Sequence, residues 1–400
     1  MSSPETTSQD EPDARALRVT IAMACLFSTM GMVLTFLPRW LEAERGLSGA
    51  EIGAVLSLAQ LARILTGAGI AFWADGAADR RMPIRLVALA SLGAYAVFLL
   101  IADGFWALLI AGFIALTLSQ ALTPLIEAAA LRATAQGNMS YGVARGIGSV
   151  SFIFATVAGG ALIARFGLGA VVVWILAAFA ALCVSAWFGL KPDPARDAAR
   201  LSNRARAGAA MRLLTSARFV VLIVSCGLIQ CAHAFYYGFS TLVWRGQGIG
   251  AEIIGLLWGF GVAVEVALLW RLASIERRFS PEALILIGAA GAALRWSVMG
   301  FAPIGWVLWP LQALHALSFA ATHVGAMRLL TREAPEAAAA TAQTFYAALS
   351  SGLLMGAAMF LSGMLYDEIG ARGYWAMTLI AAAGGFLALL LTRTRGERFG

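Results

Sequence analysis

Charge is what this sequence has least of. Asp, Glu, Lys and Arg make up 13% of its 400 residues while 60% are hydrophobic, against about 25% charged in a soluble globular chain. That is too little charge to coat a soluble globule of 42.1 kDa, so both a cytosolic enzyme and a secreted domain are excluded. Cysteine is scarce too: Cys25, Cys183, Cys226 and Cys231 all fall in apolar blocks without paired spacing, which argues against a disulfide or a metal site. No phosphate-cradling Walker loop is present, which excludes ATP-driven work within this chain. No His/Cys/Asp cluster has ligand spacing and no nucleophile sits in an elbow motif, so neither a cofactor nor an enzymatic activity is expected. The first residues carry Glu5, Asp10, Glu11 and Asp13 instead of the basic start of a cleaved leader, so the first apolar block reads as a retained helix.

What is present is apolar sequence in blocks. A membrane-spanning helix needs about 20 apolar residues, and Gly, Pro and charge punctuation divides the chain into twelve such blocks. They lie at 17–41, 49–74, 82–102, 104–132, 141–166, 169–190, 219–245, 251–273, 281–301, 304–331, 336–366 and 373–393. The expected fold is an all-α membrane protein of twelve transmembrane helices in two pseudo-symmetric six-helix bundles, 17–190 and 219–393. Short tails (1–16 and 394–400) and a basic loop (191–218) complete the chain.

That loop carries seven basic residues against two acidic ones. With the N-terminus inside, the inner segments hold 21 Lys and Arg. The outer loops hold only Arg39, Arg45, Arg165, Arg245 and Arg372. Lys and Arg concentrate on the cytoplasmic side, so both termini are expected in the cytoplasm, with the protein in the cytoplasmic (inner) membrane. The net charge of +7 is then a matter of topology, and no nucleic-acid partner is implied. The halves also echo each other: Gly49-Ala50-Glu51-Ile52 returns as Gly250-Ala251-Glu252-Ile253, and with one residue of slippage Arg63 aligns with Glu265. A six-plus-six chain with related halves is the plan of transporters that bind substrate near the bilayer midplane.

Five charges lie inside the apolar blocks: Arg63, Arg145, Arg295, Glu127 and Glu265. Each costs roughly 2.5–3.5 kcal/mol on insertion scales and needs a partner or a watery cavity. At a rise of about 1.5 Å per residue, Arg63, Glu265 and Arg295 sit mid-bilayer, and His233 and His315 fall near the same depth. Polar residues at i, i+3, i+7 share helix faces: Gln120, Thr123 and Glu127; Gln230, His233 and Tyr237; Gln343, Tyr346 and Ser350. These stripes read as the lining of a polar path, with gluing of helices as the plainer alternative. Glu265 with His233 or His315 is the candidate proton site. Arg63, Arg145 and Arg295 are candidates either to bind an anion through the planar guanidinium or to pair Glu127 and Glu265. Tyr236, Tyr237, Trp258, Trp296, Tyr346, Gln312 and Gln343 complete the candidate lining.

The loop Ala74-Asp75-Gly76-Ala77-Ala78-Asp79-Arg80-Arg81 resembles a degenerate signature loop of the major facilitator superfamily. It keeps Asp75 and the basic pair Arg80 and Arg81, and the resemblance implies a role in switching between open states. Leu37-Pro38-Arg39-Trp40-Leu41, Tyr141-Gly142 with Arg145-Gly146-Ile147-Gly148-Ser149, Ala232 to Ser240, Gly255 to Val262 leading to Glu265, Arg295-Trp296, Leu311 to His315, and Ala326-Met327-Arg328 resemble the phenylpropionate permease group. That group is similar to the oligosaccharide:proton symporters, such as lactose permease. By that resemblance Glu127 and Arg145 fall where a carboxylate–guanidinium pair meets the sugar, and Glu265, Arg295 and His315 match site residues of the C-terminal half. Three residues after the histidine those symporters carry a proton-accepting carboxylate, where this chain has Ser318. The resemblance implies a monomeric secondary transporter working by alternating access around a central cavity. Proton-coupled uptake of a small, aromatic organic acid is the first expectation. Sugar or nucleoside symport and drug efflux are the alternatives, with a non-transporting membrane sensor as the reading from another class.

Overall fold

The computed structural model describes residues 10–135, 139–193, 213, 215–334 and 339–393. Beyond Asp193, most of the expected basic loop lies outside the described residues. The described backbone is almost all helical, as lipid requires of a chain that must satisfy its peptide groups internally.

The first half contains α1 (Asp10–Arg45), α2 (Gly49–Gly76), α3 (Arg81–Ala96), α4 (Phe105–Thr134), α5 (Tyr141–Phe166) and α6 (Gly169–Val184). Wide π turns extend α3 and α6 through Val97–Ile101 and Ser185–Gly189. The second half contains α7 (Ala217–Cys231), α8 (Ala234–Gly246), α9 (Ala251–Trp270), α10 (Leu272–Arg278) and α11 (Pro281–Met299). It continues with α12 (Leu308–Ala313), α13 (Thr322–Glu333), α14 (Ala339–Ala347), α15 (Met355–Ile369) and α16 (Tyr374–Arg393). Among the described residues nine helical spans are long and apolar enough to cross a membrane, and one of them, Thr341–Thr392, runs through two expected segments. With α2 and the α12–α13 run at the two remaining positions, the order of elements is consistent with twelve segments.

Local chemistry explains where helices start. Ser140, Ser216 and Ser280 each accept a hydrogen bond from the backbone N–H three residues on, satisfying one of the orphan donors of a helix start. Pro281 follows Ser280 at the first helical position, where its missing N–H costs nothing. Ser48 and Glu51 cap each other reciprocally at α2, the capping-box arrangement.

Two expected helices are interrupted. The seventh segment breaks at Ala232–His233, between α7 and α8, and the tenth is divided into α12, a π turn at Ala316–Ala321 and α13. At the first, a polar side chain competes for backbone: the His233 ring bonds the Gln230 carbonyl at 3.0 Å. Such local bonds offer the backbone an alternative to its ladder, which hydrophobic periodicity does not register.

Contacts group the chain into two compact units, 1–40 with 65–197 and 250–259, and 41–64 with 198–249 and 260–400. Glycine makes the two exchanged stretches possible. In the first unit, a side chain at Gly255 would run into the Thr156 carbonyl, and one at Gly160 into the Ala251 carbonyl. In the second, a Cβ on Gly53 would lie 2.9 Å from the Gly363 Cα. There Asp367 on α15 also accepts from the N–H groups of Gly49 and Ala50, at 2.7 and 2.8 Å, and so caps α2 from another helix.

Candidate functional site

The intramembrane charges fall into two clusters, each within one unit. In the first unit, α4 carries Glu127 and α5 carries Arg145, with Arg145 Nε 3.5 Å from Glu127 Oε1. Their side chains remain 38% and 33% exposed. The Arg145 guanidinium lies over the Phe27 ring, 4.3 Å from its centroid, and donates to Ser149 Oγ at 3.1 Å. Gln120 and Thr123 on α4 are half-buried like Glu127. Planar, delocalised charge over an aromatic floor suits a carboxylate.

The second cluster is sealed. Arg295 on α11 is wholly buried, beside the adjoining rings of Tyr236 and Trp296, with its guanidinium 4.4 and 4.5 Å from their centroids. Its Nη2 donates to Gln312 Oε1 at 2.7 Å and its Nη1 meets His315 Nδ1 at 3.1 Å. On the far side of the imidazole, His315 Nε2 lies 3.3 Å from Glu265 Oε2. Glu265, from α9, is 17% exposed. Beside this chain of groups, His233 bonds Gln230 O through Nδ1 and Ser318 Oγ through Nε2, both at 3.0 Å. Its ring stacks on Tyr237 and meets His315 edge-on. Gln230 reaches the Phe319 carbonyl, so the seventh-segment stripe stays together despite the break in its helix.

The remaining candidates are placed elsewhere. Arg63 is half-buried on α2. In the stripe of the eleventh segment Gln343 is exposed, whereas Tyr346 and Ser350 are buried. Ser350 lies within a π turn at Ala348–Leu354, so the 3.6-residue spacing does not carry from Tyr346 to Ser350. Trp258 is buried in the first unit.

In the signature-like loop, the side chain of Asp75 lies outside those described. Arg81 is engaged by Asp79 at 2.5 Å, and Arg80 donates its backbone N–H to the Asp193 carbonyl. Asp193 in turn pairs with Arg15 and Arg132, both at 3.0 Å. Partial burial raises the Asp79 pKa, but the N–H groups of Arg81 and Asp193 and the Arg81 side chain outweigh it and hold the carboxyl below its usual value.

Three participants escape a reading of the sequence: Phe27, Ser318 as partner of His233, and Asp193. Phe27 has no signal among 22 phenylalanines, and Asp193 is masked by the basic run around it. Ser318 is visible only as the departure from the sugar-symporter pattern. Among the described residues no group of three or more His, Cys, Asp or Glu is arranged to hold a metal ion.

A family model, the MFS_1 like family, matches residues 17–377. The chain belongs to that family. It is 29% identical to a protein of Escherichia coli (strain K12) described as "Probable 3-phenylpropionic acid transporter", over 363 residues that cover 90% of this chain and 94% of the relative. It is 27% identical to the maltose permease of Geobacillus stearothermophilus over 383 residues, covering 93% and 94%. Among solved structures, a variant of the nucleoside transporter NupG superposes with a TM-score of 0.79 at 17% identity, covering 95% of this chain and all of the other. That likeness shows the fold, and the resemblance to the major facilitator superfamily read from the sequence is established. The chain is an integral multi-pass membrane protein whose family and relatives are transporters.

Proposed function

We propose that this transporter takes up a small organic acid, an aromatic carboxylate of the phenylpropionate kind, together with protons, working by alternating access as a monomer in the cytoplasmic membrane with both termini inside. The observation that carries this reading is the access of Arg145. Of the two charge clusters, it alone combines a guanidinium more than one-third exposed with an aromatic ring beneath it. An exposed ion pair is worth about 0–1 kcal/mol, so a substrate carboxylate competes readily with Glu127 for Arg145. Arg295, wholly buried beside two rings, is assigned to the proton-handling chain with Glu265. The relative described as a phenylpropionic acid transporter supports the substrate class.

The test is uptake of labelled 3-phenylpropionate into proteoliposomes with and without an inward proton gradient. Gradient-dependent accumulation is expected; uptake indifferent to the gradient refutes proton coupling, and no uptake refutes the substrate. Glu265→Gln is expected to exchange substrate across the membrane but not concentrate it.

A sugar or nucleoside is the second reading. Glu127, 33% exposed beside Arg145, offers an acceptor next to a donor, the pattern that recognises hydroxyl groups. Competition of phenylpropionate uptake by maltose or uridine, lost in Glu127→Gln, favours it.

A further inference from the structure

The sealed cluster fixes the hydrogen positions on His315. A guanidinium has only donors, so the contact between Arg295 Nη1 and His315 Nδ1 requires that Nδ1 be the unprotonated, accepting nitrogen. A neutral imidazole then carries its single hydrogen on Nε2, which is the atom that faces the Glu265 carboxylate. A second proton on the ring would go to Nδ1 and point at Arg295, hydrogen against hydrogen and cation against cation. His233 has a different constraint. Its Nδ1 faces the carbonyl of Gln230, which can only accept, so the neutral ring carries its hydrogen there and its Nε2 then accepts from Ser318.

From these geometries we infer that His315 is a positioning residue, a permanently neutral bridge between Arg295 and Glu265, and that the proton exchanged at this pair is taken up and released by the Glu265 carboxylate and not by the imidazole. This rests on the proton-coupled reading above and removes His315 from the three candidate proton sites. Protonation converts the carboxylate to a carboxylic acid, whose carbonyl oxygen still accepts from His315 Nε2, and release reverses it. No other bond changes, and the histidine keeps one tautomer throughout.

The surroundings agree. The charged groups acting on His315 are Arg295 from α11 and Glu265 from α9. The other titratable groups gathered here are His233 at the start of α8, Tyr236 and Tyr237 on α8, and Tyr374 on α16. One cation and one anion face the bridge from opposite sides, so charge changes only when Glu265 does. The side chain beside the His233 imidazole is Ser318, a hydroxyl that does not titrate near neutral pH.

A glutamine reproduces the neutral bridge, with an amide oxygen to accept from Arg295 and an amide N–H to donate to Glu265, yet cannot titrate. In proteoliposomes, His315→Gln is expected to retain gradient-driven accumulation within about threefold of the unsubstituted protein. His315→Leu, which bridges nothing, is expected to lose it and to shift the pH profile of uptake. Accumulation abolished in His315→Gln with exchange intact overturns the inference, because the imidazole itself would then carry the proton.

A direct reading uses the unsubstituted protein. With 15N-histidine labelling only His233, His315 and His323 give ring signals; His233→Gln and His323→Gln assign them. His315 should show one pyridine-type nitrogen, at Nδ1, and one pyrrole-type, at Nε2, unchanged from pH 5 to 8. Conversion of both to imidazolium shifts within that range refutes the bridge. If the unsubstituted protein shows no proton-coupled uptake, the functional reading fails while the spectra still decide the bridge.

Discussion

Each unit of this molecule holds a glutamate and an arginine within its apolar helices, and the two pairs are built for different work. Glu127 and Arg145 stand about one-third exposed, joined by a single 3.5 Å contact. Glu265 and Arg295 do not touch: His315 stands between them, two rings adjoin the guanidinium, and Gln312 takes one of its donors. Solvent access decides what each pair can do. A pair within reach of water exchanges partners at little cost, as a substrate contact must. A buried charge held by Gln312 and His315 exchanges partners less easily and is better suited to sensing a single proton.

Removing the arginines one at a time breaks the comparison most sharply. Arg295→Leu leaves Glu265 and His315 without their cation, and loss of one partner from a buried charge network destabilises by about 3–5 kcal/mol. A large drop in the thermal midpoint of the purified protein in detergent is the expected result. Arg145→Leu is expected to change stability by no more than about 1 kcal/mol while abolishing uptake of the acid. If the two variants lose similar stability, the division between an open pair and a sealed one is wrong.

The sealed cluster also shows how far sequence reasoning reaches. Depth along a helix is a matter of counting, so Glu265, Arg295, His233 and His315 are all identifiable as mid-bilayer polar groups from their positions alone. Which of them touch is not, because contacts between α9, α11 and α12 depend on crossing angles and on the π turn at Ala316–Ala321. The helix order is equally readable, whereas the break at His233 is not, since it depends on one side chain bonding its own backbone. Ser350 shows a related limit: a face argument needs a constant 3.6-residue period, and the widened turn at Ala348–Leu354 interrupts it between Tyr346 and Ser350. Phe27 beneath Arg145 was out of reach altogether, because nothing in the order of residues says which phenylalanine a cation will rest on.

The units differ again in how they use acids at helix ends. In the second, Asp367 caps α2 through two backbone N–H groups on a distant stretch of chain. Asp367→Ala is expected to cost about 1 kcal/mol, the usual loss for a removed N-cap. Asp367→Asn, which keeps an accepting oxygen, should cost less. A nearby Gly363→Leu would force its side chain against the Gly49 carbonyl, and such overpacking costs about 1–3 kcal/mol. Thermal midpoints that fail to rank Gly363→Leu below Asp367→Ala, and Asp367→Ala below Asp367→Asn, refute the close approach or the cap.

In the first unit the corresponding acids grip a loop. Asp79 accepts from the backbone of Arg81 and Asp193 and from the Arg81 guanidinium, and these bonds depress its pKa. In the unfolded chain the carboxyl titrates near its ordinary value of about 3.9. Because the folded value is lower, the folded state binds fewer protons between the two, and the stabilisation is fully present above about pH 4. It is lost as pH falls through the folded value, where the carboxyl protonates in both states. Asp79 is one-quarter exposed and water screens its ion pair, so this is the smallest effect expected. Asp79→Asn should therefore unfold more easily than the unsubstituted protein at pH 6, and the gap between them should narrow as pH falls below 4. A gap that is constant with pH means the loop is held by something other than the Asp79 charge.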